Sequence, residues 1–118
     1  MTTIYHDPDV FGLQLIASHD AAPVYEFDIV GLWRDRKGAY WIGHDRDSSG
    51  PIPFAGMAIR DLTPVGNVAE VAAFARGAWD HLDDHSWYLA PEAQAEAAVA
   101  AFMGEVVSVL DTEVSGCA

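Results

Sequence analysis

The sequence predicts an α+β fold: an antiparallel sheet of three to four strands over residues ~11–62, packed by two C-terminal helices over ~67–82 and ~91–112. Three observations carry this expectation. Apolar and polar residues alternate in the first half of the chain. Apolar residues recur at helical spacing in the second half. The two patterns follow one another without interleaving, which disfavours a parallel βαβ arrangement.

Phe11–Ser18 reads as a first strand, bounded by Asp-Pro-Asp before it and His-Asp-Ala-Ala-Pro after it. In Val24–Arg34, Tyr25, Phe27 and Ile29 alternate with Glu26 and Asp28, so the aromatic and β-branched residues take one face and the acids the other. Asp35–Gly38 is a turn, because Asp initiates such turns and Gly accepts positive φ. Ala39–His44 returns as the second arm of the hairpin. Asp45–Pro53 is a polar Gly/Pro loop, Gly56–Arg60 is a candidate further strand, and Pro64-Val65-Gly66 closes this half. Asn67 and Glu70 stand at capping-box spacing ahead of Val68, Val71, Phe74, Ala75, Ala78 and Leu82. Asp83–Ala90 breaks the pattern. Pro91 suits a first helical turn, and Val99, Phe102, Met103, Val106, Val107 and Leu110 form one apolar stripe. A single domain over 1–112 with a loose tail at 113–118 is expected.

Charge bounds the function. Eighteen Asp and Glu face six Lys and Arg, a net charge of -12 over 118 residues, and Lys37 is the single lysine. A phosphate backbone needs a cationic footprint and an anionic membrane attracts Lys and Arg, so neither is an expected partner. Residues 67–118 hold nine acids against Arg76 alone, whereas residues 1–66 hold nine acids against five bases. The helical half therefore carries the acidic surface, which fits a protein partner with a basic surface. One cysteine, Cys117, excludes an internal disulfide. Met1–Asp9 has neither a basic nor an apolar leader segment, and no apolar run approaches ~18 residues, so a cytoplasmic location is expected.

The segment Tyr25–Pro64 carries Trp33 and Asp35 in one hairpin arm, Gly38, Tyr40 and Trp41 in the next, and then Pro51, Pro53 and Phe54. This pattern resembles a group of small proteins from actinobacteria and their phages. The resemblance implies a phage or actinobacterial context and no activity. Members of that group often have cysteines before the Pro-x-Pro-Phe turn. Ser48, Ser49 and Gly50 stand there instead, so no thiol or metal role carries over.

No complete catalytic constellation is present, so a non-enzymatic protein is expected. Gly-x-Ser-x-Gly and phosphate-cradling glycine loops are both missing, and Cys117 lies in the expected tail. Asp45–Gly50 lacks the bidentate Glu of a calcium loop. His81 and His85, spaced i, i+4, with Asp84 and with His44 from the first half, form a candidate set for a divalent transition metal. Leu82 follows His81, so the metalloprotease motif is incomplete, and an exposed helix end explains the same residues without metal. Asp80, Asp83 and Asp84, with Trp87 and Tyr88, form a candidate partner-binding set, since aromatic residues rimmed by carboxylates suit an Arg- or Lys-bearing surface. The leading functional expectation is an acidic protein-interaction module, as a phage-encoded modulator or nucleic-acid mimic acting on a host protein. The alternatives are a metal-binding protein or small hydrolase, and an assembly protein forming a homo-oligomer.

Overall fold

The computed structural model describes residues 2–22, 27–47, 52–81 and 91–116. Four strands, β1 (Leu13–Asp20), β2 (Phe27–Asp35), β3 (Tyr40–Asp47) and β4 (Thr63–Val65), form one antiparallel sheet in chain order. Two helices follow, α1 (Val68–Ala78) and α2 (Pro91–Gly116). The fold is α+β. Among the described residues no helix is long and apolar enough to cross a membrane.

Period-two patterning places the β2–β3 hairpin in register, with Trp33 opposite Trp41 and Gly31 opposite Gly43. Asp35 nucleates the turn: its Oδ1 accepts the backbone N–H groups of Lys37 (2.9 Å) and Ala39 (3.0 Å). The turn closes through Gly38, whose φ of 88° suits a residue without Cβ. α1 begins at the N-cap expected of Asn67, with the Glu70 carboxylate reaching one residue beyond the N-cap of a standard capping box. Asn67 Oδ1 accepts from Glu70 N at 2.9 Å, and the Glu70 carboxylate reaches back to Gly66 N at 3.1 Å.

Several boundaries depart from the sequence expectation. β1 lies two residues later than Phe11–Ser18, β3 runs through Asp47 into the stretch read as loop, and α1 ends at Ala78 rather than near 82. Gly56–Arg60 is not a strand. Residues 53–56 form a turn, a short 3-10 segment follows at Ile59–Asp61, and the fourth strand is Thr63–Val65. Pro64 removes a donor, which an edge strand of this length tolerates. α2 continues to Gly116, past the predicted end at 112 and through most of the stretch read as tail; no Pro follows Pro91 to interrupt it, and a Gly stands at its last residue.

The sheet is apolar on both faces. On one, Val30, Leu32 and Ile42 meet Val71, Ala75 and Trp79 of the α1 region and Val99, Phe102 and Val106 of α2. The α2 stripe thus packs as predicted, except that Val107 remains 44% exposed. On the other face, Leu13, Phe27, Ile29 and Trp33 meet Ile4, Phe54 and Leu62. The helices therefore cover one side, and the N-terminal residues with the 52–62 segment cover the other. β1 serves both faces through a register shift between Leu15 and Ala17. Leu13 and Leu15 join the second cluster, Ile16 and Ala17 the helix-side one, and His19 comes to lie edge-on against Trp79 at 5.7 Å.

Trp33 is the largest wholly buried side chain of the second cluster, and its indole N–H donates to Ile4 O at 2.8 Å. Its ring lies against Gly31: a Cβ there would stand 2.6 Å and 2.9 Å from two ring carbons. A buried indole has no room to yield, so Gly31→Ala should destabilise the fold by about 1–3 kcal/mol, measured by urea denaturation. Phe54 takes φ of 61°, a strained value for an aromatic residue. The conformation is held by Asp45, whose Oδ2 accepts Phe54 N at 2.7 Å, and by ring contacts with Tyr5 (5.5 Å, stacked) and Trp33 (5.2 Å, edge-on).

Candidate functional site

Two features stand at the helical side of the molecule, one buried and one exposed. The buried one is centred on Asp28. Alternation in β2 predicts an outward polar face for this residue, yet Asp28 is only 5% exposed. The reason is that its face continues through Val30 and Leu32, and the helices cover it. Its carboxylate is held by two histidines from separate elements: His44 Nε2 lies 2.5 Å from Oδ1, and His81 Nε2 lies 2.5 Å from Oδ2. The backbone is equally satisfied. Asp28 N donates to Asp20 Oδ1 at 2.9 Å, and Asp28 O accepts from Ala21 N (2.9 Å) and Trp79 Nε1 (3.3 Å).

Burial pushes the Asp28 carboxyl up, but the hydrogen bonds from His44 and His81, with their positive charge when protonated, outweigh it and hold the group below the ordinary aspartate value. An ionised carboxylate only accepts, so both Nε2 atoms donate, and in a neutral ring Nδ1 is then the nitrogen bearing the lone pair. The cluster ties β2, β3 and the end of the α1 region together.

Sequence reasoning singled out His44 and His81 as metal ligands. The structure does bring them together, with ring centroids 6.1 Å apart, but around Asp28, which the sequence reading left on the outer face. Their Nε2 atoms are spent on its carboxylate, and among the described residues no group of three or more His, Cys, Asp or Glu could hold a metal ion. The other two members of the metal set, Asp84 and His85, lie outside the described residues.

The exposed feature is a groove between α1 and α2, of about 540 Å³. Ala95, Val99 and Met103 of α2 supply an apolar wall, and Asp80, Glu96 and Arg76 stand at its rim. Asp80 and Glu96 are both exposed. Asp80, from the candidate partner-binding set, lies beside Ala95, Val99 and Met103 on the groove lining. Asp83, Asp84, Trp87 and Tyr88 lie outside the described residues. Glu96 and Met103 are the additions that sequence reasoning missed. Met103 belongs to the apolar stripe of α2, and nothing local to that helix shows that Asp80 comes to lie beside Glu96 and Met103.

Residues 2–105 match the family described as Domain of unknown function (DUF7574). No curated protein and no solved structure matches the chain.

Proposed function

The chain belongs to the family described as Domain of unknown function (DUF7574), and we propose that it is a non-enzymatic protein-interaction module that binds a basic protein segment in the α1–α2 groove. The observation that carries this reading is the groove itself, an apolar wall under two exposed carboxylates, Asp80 and Glu96, in a helical layer whose single basic residue is Arg76. Apolar surface supplies the binding energy, and the carboxylates select Lys or Arg and accelerate encounter. A modulator of a host protein, or a mimic of a nucleic acid, is the specific form in which an actinobacterial or phage protein would use such a surface.

The test is affinity capture of the tagged chain at low and high salt, with the captured protein identified by mass spectrometry. The reading predicts a basic partner released by salt, and roughly tenfold weaker capture by the double variant Asp80→Lys/Glu96→Lys. Undiminished capture by that variant contradicts the groove assignment. Recovery of this chain's own copies alone supports the homo-oligomer instead.

A further inference from the structure

The α1–α2 groove has helices for both its banks, and the interior N–H and C=O groups of a helix bond within that helix. Its described lining therefore presents side chains and no open strand ladder. An extended segment laid along Ala95, Val99 and Met103 would bring backbone N–H and C=O groups against apolar surface without partners, a cost at each group. A helical segment carries those bonds with it.

The wall also has the spacing of a helix-packing surface. Ala95, Val99 and Met103 stand at i, i+4 and i+8, one ridge of α2. Eight residue steps at about 1.5 Å each make this ridge about 12 Å long, just over two helical turns. Ala95 and Ala100 are small, which permits close approach of another helix axis. Met103 is unbranched and adapts to the surface laid on it.

The rim is charged, and its backbone is held in place. Asp80 stands between Trp79 and His81, and both neighbours are fastened to one residue of β2. Trp79 Nε1 donates to Asp28 O at 3.3 Å, and His81 Nε2 lies 2.5 Å from Asp28 Oδ2. Trp79 is wholly buried, whereas Asp80 is exposed on the groove lining. Asp80 is thus positioned before anything binds, which lowers the ordering cost of association. Among the described residues, neither the Asp80 nor the Glu96 carboxylate has a hydrogen bond or ion pair, so both are open to a cation.

Resting on the interaction reading above, we infer that the groove seats an amphipathic α-helix of the partner. Apolar residues of that helix, at i, i+3, i+4 and i+7, pack on the Ala95–Val99–Met103 ridge. Lys or Arg on its flanks meets Asp80 at the end of the α1 region and Glu96 on α2.

The test is fluorescence anisotropy of labelled synthetic peptides, about sixteen residues long, with the full chain. One peptide places Leu at i, i+3, i+4 and i+7 and Lys elsewhere. A second is identical except for central Pro substitutions, which break the helix. The inference predicts saturable binding of the first peptide, a gain of helical circular dichroism in the complex, and about tenfold or weaker binding of the second. Asp80→Lys/Glu96→Lys should weaken the first peptide about tenfold beyond the charge-matched variant Asp9→Lys/Asp61→Lys, whose positions are exposed and outside the groove lining. Equal binding of the two peptides, lost for both in Asp80→Lys/Glu96→Lys, overturns the helical form and leaves the groove assignment standing. Binding of the first peptide that both double variants reduce alike overturns the inference and the groove assignment together. No saturable binding of the first peptide overturns the inference, and the groove assignment falls with it if affinity capture is also undiminished in Asp80→Lys/Glu96→Lys.

Discussion

Trp33→Ala should lower the free energy of unfolding by about 3–5 kcal/mol, the range for deleting a buried Trp side chain. The indole is wholly buried. It fills the space over Gly31, packs edge-on to Phe54 and donates to Ile4 O. Its loss removes apolar contacts, opens a cavity and leaves the Ile4 carbonyl without that donor. Phe54 would suffer as well, since its positive φ is sustained by the contacts around its ring. A domain of this size has only about 5–15 kcal/mol in hand, so the variant should show a much lower urea midpoint. Equilibrium urea denaturation followed by far-UV circular dichroism checks this. A loss below about 1 kcal/mol would mean that the Trp33 packing is wrong.

Asp28→Ala should cost about 2–4 kcal/mol near neutral pH. Breaking a buried ion pair typically costs more, but the histidine side chains are 22% and 24% exposed and regain some water. The pH dependence identifies the cause. The folded carboxyl titrates below its ordinary value of 3.8, so the stability contributed by ionised Asp28 is complete above that pH and is lost as pH falls through the folded value. The gap between wild type and Asp28→Ala should therefore narrow in acid and stay open near neutrality. Denaturation midpoints of both proteins across the acid range measure it. A gap independent of pH would assign the loss to packing alone.

Much of the fold is legible in the chain because the relevant signals are local. The β2–β3 hairpin follows from alternation around Asp35–Gly38, the start of α1 from Asn67 and Glu70, and the α2 core from the stripe through Val99, Phe102 and Val106. The missed features depend on tertiary contacts. Leu15, Ile16 and Ala17 are all apolar, so nothing in their pattern shows where β1 shifts register. Thr63–Val65 is too short and too interrupted by Pro64 to read as a strand. Asp28 reads as an outward residue in an alternating strand because its burial comes from helices distant in sequence. His81, which engages it, lies 53 residues away. The two histidines are conspicuous as titratable side chains, but the carboxylate they share is not. The groove is likewise an encounter of two helices: Asp80 is visible as an acid, and its apolar neighbours Val99 and Met103 are visible only as core positions.

The most direct test of the interaction reading places a photo-crosslinking amino acid at Ala100, an exposed position lining the groove. Irradiation in a lysate containing the partner should give one dominant adduct with a basic protein, suppressed by high salt and by Asp80→Lys/Glu96→Lys. No adduct, or an adduct unaffected by salt and by those substitutions, would contradict the assignment of the α1–α2 groove as the binding site.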